Sequence, residues 1–246
     1  MPTPEFITIG AGALEMRDAR TGSARVVTLE PFELGRTTVT DVHLRPMHPV
    51  TWFDAVTWCN LASVDAGLAP AYDVRGRMVR WDVSADGLRL PTEAEWEYAC
   101  RAGTTEPTYG PLSDIAWTGL DRVEGPQEVG LKHANDFGLY DTLGNVWEWC
   151  WDYADPARYG DYRSLRGGGW DDPAYSCRAS VRRGSAPDAV LEDVGFRVAR
   201  GAVGEVGESA AQGWSRAEDR ARADIRGLLP VGWTPLRELL DESSAH

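Results

Sequence analysis

Asn135-Asp-Phe-Gly-Leu-Tyr-Asp-Thr-Leu-Gly-Asn-Val-Trp-Glu-Trp149 is the stretch whose reading decides the fold. Helical periodicity is absent from it, glycines recur, and two tryptophans stand two residues apart. The same character extends from Thr104 to Arg200, with tryptophans at 117, 147, 149, 151 and 170. Few regular elements can be assigned there, which predicts structured loops and short strands held by aromatic packing. Long structured loops of this kind are uncommon unless they are functional or pinned by an ion.

Upstream, the pattern is more regular. Phe6 to Ile9 alternates before Gly10, Ala24 to Leu29 is β-branched and stops at Pro31, and Phe32 to Leu34 with Thr37 to Thr40 continues as strand. A helix is predicted over Phe53 to Val64 from apolar Val56, Cys59 and Val64. A second helix has a clear start. Thr92 supplies a cap oxygen, Glu95 reaches back as its capping-box partner, and the helix runs to about Arg101 before Gly103. Downstream, Gly201 to Gly213 reads as a linker. Trp214 to Leu229 reads as an amphipathic helix, and a last short helix follows Thr234-Pro235. The expected organisation is a domain over 1–200, a linker over 201–213 and a helical extension over 214–246.

A chain of 246 residues is long enough for one large domain with an appendage. A net charge of -13 disfavours nucleic acid as a partner, since no Lys/Arg block offsets the repulsion apart from the small cluster Arg178, Arg182 and Arg183. No apolar run approaches the ~20 residues needed to span a bilayer, and the N-terminus has no basic and apolar leader pattern. Cys59, Cys100, Cys150 and Cys177 are widely spaced with no C-x-x-C pair, as expected of reduced, mostly buried thiols in a cytoplasmic protein.

Three blocks stand in order: Leu88 to Gly103 (LRLPTEAEWEYACRAG), Asn135 to Trp149, and Leu165 to Trp170 (LRGGGW) with Gly195-Phe-Arg197. Together they resemble the sulfatase-modifying-factor family, which holds formylglycine-generating enzymes, ergothioneine-synthase-like proteins and PvdO-like proteins. The resemblance spans roughly Phe6 to Arg200. It implies an α+β fold, a formylglycine-generating-enzyme-like variant of the C-type-lectin fold with little regular secondary structure.

The same resemblance bears on chemistry. Formylglycine-generating enzymes bind copper through two cysteines after the glycine turn, whereas Trp170 to Arg178 holds only Cys177; the family's cysteines fall near Asp171 and Ala174. Copper(I) requires soft thiolates, so formylglycine chemistry by that route is not expected. Ergothioneine-type members use histidines of a separate helical domain, and this chain offers only His43, His48, His133 and His246. The disulfide that the resemblance implies for extracellular relatives, from the Glu-Tyr-x-Cys helix to a residue after Gly-Phe-Arg, would need a partner for Cys100 at position 198, which is Val198. By family position a structural calcium ion would be held by the carboxylates of Asp141 and Glu148 and the backbone carbonyls of Gly144 and Val146. Hard oxygens within eight residues suit that ion; the other reading is that both carboxylates cap turns or pair with arginines.

Family position also places Trp170, Tyr175, Arg182 and Asp188 around a substrate, with Cys177, Arg178, Asp171 and Asp172 as candidate catalytic groups. Arginines would grip a carboxylate, aspartates an ammonium, and Trp170 would form a flat wall. Against this stand two plainer readings, that Arg182 and Arg197 pair with nearby carboxylates and that Cys177 is an inert buried thiol. Two functions follow. One is a metal-dependent oxidoreductase, its catalytic metal unassigned, acting on a small amino-acid-like or peptide substrate in specialised metabolism. The other is a non-catalytic lectin-like module for a peptide or small polar ligand. The apolar residues Ile225, Leu228, Leu229, Trp233, Leu236 and Leu239 need cover, either on the same domain or as a homodimer contact through the C-terminal extension.

Overall fold

A computed structural model describes residues 4–18, 22–154, 161–208 and 210–223. The fold is α+β, with two four-stranded sheets, three two-stranded ribbons and short helices among the described residues. In chain order these elements begin with β1 (Phe6–Ile9), β2 (Gly12–Asp18), β3 (Ser23–Leu29), β4 (Phe32–Gly35) and α1 (Trp52–Asp65). Next come β5 (Tyr72–Arg75), β6 (Met78–Trp81), β7 (Leu88–Arg89), α2 (Glu93–Arg101) and α3 (Leu112–Ile115). The motif region contributes β8 (Trp147–Tyr153), β9 (Arg163–Arg166), β10 (Arg182–Ser185), β11 (Val194–Phe196) and β12 (Ala199–Arg200). The chain then forms β13 (Ala210–Ala211), β14 (Trp214–Ser215) and α4 (Arg216–Ala223).

One sheet runs β1-β4-β12-β7 and the other β10-β9-β8-β11. In the second, β8 and β11 are parallel while β8 and β9 are antiparallel. The Trp-rich motif is therefore a strand flanked on both edges, and the ten residues from Asp141 to Cys150 are all buried. Its alternation divides the labour between two faces. Trp147, Trp149 and Trp151 enter the main core with Trp52, Tyr72, Trp81 and Trp214. Trp151 is the hub: it stacks on Tyr72 at 5.1 Å and meets Trp81 and Trp214 edge-on at 5.6 Å. Glu148, Cys150 and Asp152 turn the other way, toward α2: Glu148 Oε2 accepts from Trp96 Nε1 at 2.8 Å, and Asp152 Oδ2 from the amide of Glu93 at 2.8 Å.

Both long helices begin with the same device. Thr92 and Glu95 form the expected capping box on α2, and Thr51 with Asp54 forms another on α1, starting it one residue earlier than apolar spacing indicated. The acids of α2 are then consumed by arginines, of which Arg89 and Arg166 are buried and Arg101 and Arg182 partly so. Glu95 pairs with Arg89 at 2.7 Å, Glu97 with Arg166 at 2.5 Å and Arg101 at 2.8 Å, and Glu93 with Arg166 at 3.1 Å and with Arg182. Burying so much charge is tolerated only because each carboxylate meets a guanidinium.

Three sequence expectations change. Thr37 to Thr40 is not a strand; it contributes an isolated bridge, Thr40 to Pro46. The strands β2, β5 and β6 are not marked by the sequence, because their exposed faces carry mixed residues without clean alternation. The segment expected as linker and added helix is bound into the domain. Gln212 accepts from the amide of Glu30 at 2.9 Å, its carbonyl takes the Thr92 hydroxyl at 2.7 Å, and Ala211 and Trp214 join the core. The helix begins at Arg216, not Trp214; residues 224–246, with the expected final helix and its apolar positions, lie outside the described residues.

Candidate functional site in the glycine-turn loop

The turn Gly167-Gly168-Gly169 follows β9 and carries the loop Trp170 to Arg178. Gly167 and Gly168 have φ of +101° and +85°, a region where a Cβ is strained. A Cβ on Gly168 would lie 2.6 Å from Cys177 Sγ. Cys177 thus packs directly beneath the turn, fully buried. Burial, with the Asp172 carboxylate adding to it, pushes its thiol up to about 12. A buried thiol shifted this way is a poor nucleophile at neutral pH. The other three thiols are also buried and unpaired; burial raises Cys100 to about 12 and moves Cys59 and Cys150 upward as well.

The residues grouped by sequence divide into three places. Trp170, Asp171, Asp172, Tyr175, Cys177 and Arg178 share one loop. Asp172 is its clasp: Oδ2 accepts from Trp147 Nε1 at 2.6 Å and from the Gly169 amide at 2.8 Å. Tyr175, 66% exposed, faces solvent with Asp171 and Arg178, whose Nε donates to the Tyr175 carbonyl at 2.8 Å. Arg182 is elsewhere, with Nε on Glu93 Oε1 at 2.9 Å. Asp188 is elsewhere again, accepting from Arg77 at 2.8 Å. The two arginine readings therefore resolve as internal pairing: Arg182 to Glu93, and Arg197 to Glu148.

Sequence reasoning missed three contributors. Trp147 floors the loop through Asp172. Arg183 lies over the Trp147 ring at 5.6 Å and pairs with Asp193 at 3.2 Å. Asn145 ties in the preceding loop, its Oδ1 accepting from the Gln127 amide at 2.8 Å and its Nδ2 donating to the Gln127 carbonyl at 3.1 Å. Nothing in the sequence names Gln127 as the partner of Asn145.

The calcium ligand set behaves unevenly. Glu148 is fully buried and accepts from Arg197 at 2.9 and 3.0 Å besides Trp96. Each carboxylate oxygen has two lone pairs, so this leaves acceptor capacity. Asp141 differs. Its Oδ2 takes the Gly130 amide at 2.7 Å, but Oδ1 is buried without a hydrogen-bond partner. Burial pushes this carboxyl up to about 6. A buried, unmatched carboxylate oxygen in a loop frame fits a hard cation. Among the described residues no three His, Cys, Asp or Glu side chains form a metal-binding group, so backbone carbonyls such as those of Gly144 and Val146 would have to complete such a shell.

Comparison with known proteins places this geometry. Residues 41–202 match the model of the sulfatase-modifying factor enzyme 1-like domain. The chain is 29% identical to chaperone protein LppX of Paenibacillus barcinonensis, over 72% of this chain and 83% of that protein. It is 28% identical to inactive C-alpha-formylglycine-generating enzyme 2 of Mus musculus, over 82% and 85% respectively. Among solved structures, Treponema denticola variable protein 1 superposes with a TM-score of 0.72 at 28% identity, covering 79% of this chain and 94% of that one.

Proposed function

Since the chain belongs to the sulfatase-modifying factor enzyme 1-like family, we propose how such a frame is used without the family's thiolate pair: as a non-catalytic, lectin-like module that presents its glycine-turn loop to a peptide or small polar ligand. The observation that carries this reading is Cys177, buried under Gly168 with no solvent exposure, while Arg182 and Asp172 are spent on internal contacts. What the loop offers outward is Asp171, Tyr175 and Arg178, a surface suited to hydrogen bonding and ring contact, not to electron transfer. Similarity to a chaperone and to an inactive formylglycine-generating enzyme 2 supports the same reading.

The competing reading is a metal-dependent oxidoreductase acting on an amino-acid-like or peptide substrate, a use for which the family offers precedent. One experiment separates the two. Native protein is loaded in turn with Cu(I) and Fe(II), given thiol-containing peptides, and followed in an oxygen electrode, with thiol accessibility measured in parallel. The expected result is oxygen uptake at the free-metal background and no fast-reacting thiol before denaturation. Sustained, protein-dependent uptake would establish the oxidoreductase.

We further propose that Asp141 and Glu148, with the carbonyls of Gly144 and Val146, hold a structural calcium ion, whose contribution is to match the buried Asp141 oxygen. Calcium at about a hundredfold excess over its dissociation constant stabilises by about 2.7 kcal/mol. For a domain of this size that is a rise in Tm of about 5–10 °C over chelated protein. Asp141→Asn should abolish the rise while leaving the chelated protein folded. Equal melting with calcium and with chelator would remove the ion from the account.

A further inference from the structure

The ribbon β2–β3 has two outer edges that are treated differently. The β3 edge is covered: Glu30 exchanges hydrogen bonds with Gln212 at 2.9 and 3.0 Å, and Arg25 reaches the Gly213 carbonyl at 2.9 Å and Glu218 at 2.7 Å. No described strand pairs with the β2 edge. There a cleft of about 480 Å³ opens between β2 and the C-terminal end of α2, lined by Glu15, Arg17, Tyr98, Arg101, Thr104 and Thr105 among others. In an antiparallel ribbon every second residue turns its N–H and C=O away from the partner strand, so this edge carries a row of ladder groups with no strand partner among the described residues.

The charges on the edge show what it would accept. Glu15 and Arg17 stand two residues apart on the exposed face, 50% and 76% exposed, and pair with one another at 2.7 Å. A run of like charges would repel a second copy of the same strand. Opposite charges at i and i+2 do the reverse. Antiparallel pairing about a two-fold axis through Met16 sets each Glu15 opposite the second copy's Arg17, and each Arg17 opposite the second copy's Glu15. Cross-strand pairs of opposite charge are favourable, and the contact is isologous, as a closed dimer requires.

We propose that β2 is a homodimerisation edge, pairing antiparallel with β2 of a second copy in the register that centres on Met16. The occupant is β2 of a second copy: β5 carries the same pattern in Asp73 and Arg75, but a β2–β5 contact is heterologous, whereas β2 on β2 closes about a two-fold axis. A seven-residue edge buries less than a stable standard-size interface needs, so the dimer is weak and concentration-dependent. The proposal is independent of what the glycine-turn loop binds.

Sedimentation equilibrium on the full chain between about 10 and 500 µM, spanning the range of weak interfaces, tests it. The expected result is a monomer–dimer equilibrium for the wild type. Arg17→Glu sets like charges opposite each other twice over and should raise the dissociation constant at least about tenfold. The double variant Glu15→Arg/Arg17→Glu restores complementarity and should return to within about threefold of wild type. Both positions lie on the surface, and tryptophan fluorescence reports that the fold is retained. Monomer throughout, a dimer indifferent to Arg17→Glu, or a double variant as weak as the single one would each overturn the proposal.

Discussion

Arg197→Leu is expected to destabilise the protein by about 3–5 kcal/mol, the cost of leaving one member of a buried ion pair without the other. Arg197 is fully buried and donates to four oxygens: both oxygens of Glu148, the Gly35 carbonyl at 2.8 Å and the Tyr140 carbonyl at 2.7 Å. It therefore joins three segments distant in sequence: the end of β4, the start of the motif loop, and β8. Leucine fills part of the volume but strands a carboxylate and two carbonyls away from water. In a chain of this length the loss corresponds to a fall in Tm of about 6–20 °C. A partner experiment isolates the pair: Glu148→Leu on the Arg197→Leu background removes the stranded charge and should recover at least about 1 kcal/mol. Denaturant titration with chelator present, to keep any cation from contributing, reads both. A loss below about 1 kcal/mol for the single variant would mean that water reaches Glu148 and that the pair does not hold these segments together.

Gly144→Ala is expected to cost about as much by a wholly different route. Gly144 has φ +72°, and a Cβ there would sit 2.2 Å from the Trp117 carbonyl oxygen and 2.9 Å from its amide nitrogen. These are backbone atoms in a loop bound on both sides, since Trp117 accepts from Asn145 at 2.9 Å and Gly144 donates to Gly167 at 3.0 Å. No rotamer change can relieve the overlap. Left-handed strain of about 1–3 kcal/mol adds to about 1–3 kcal/mol of overpacking, and the Asn145 clamp on Gln127 would be displaced with the loop. Gly10→Ala is the control: nothing lies within 4 Å of its Cβ position and its φ is not positive, so a change within about 0.5 kcal/mol is expected. Denaturation midpoints of the two variants should differ clearly. Equal midpoints would show that Trp117 yields without cost.

The ordered blocks from Leu88 to Arg197 were enough to identify the α+β fold and the family, because their glycines, capping box and tryptophans mark backbone shapes that few folds need. Thr92 and Glu95 cap α2 as local chemistry dictates, and the short strands β1, β3 and β4 follow from alternation and a terminating proline. Absences were equally legible: one cysteine between Trp170 and Arg178 is a statement about composition, and no packing can add a second thiol.

What sequence left open was always a choice of partner. Arg182 could grip a ligand or a carboxylate; α2 puts Glu93 beside it. Cys177 could be reactive or inert; the Gly168 turn lies on its sulfur. Trp214 follows a linker-like stretch in the sequence, yet it packs on Trp81 and Trp151 across more than sixty residues of chain. Local rules reach a few residues, through caps, turns and periodicity, so they determine elements and exclude chemistries. Ion pairing, burial and ring contact act between residues brought together only by the completed fold. The tertiary structure alone therefore decided which charges were matched internally and which buried oxygen, that of Asp141, was left without a hydrogen-bond partner.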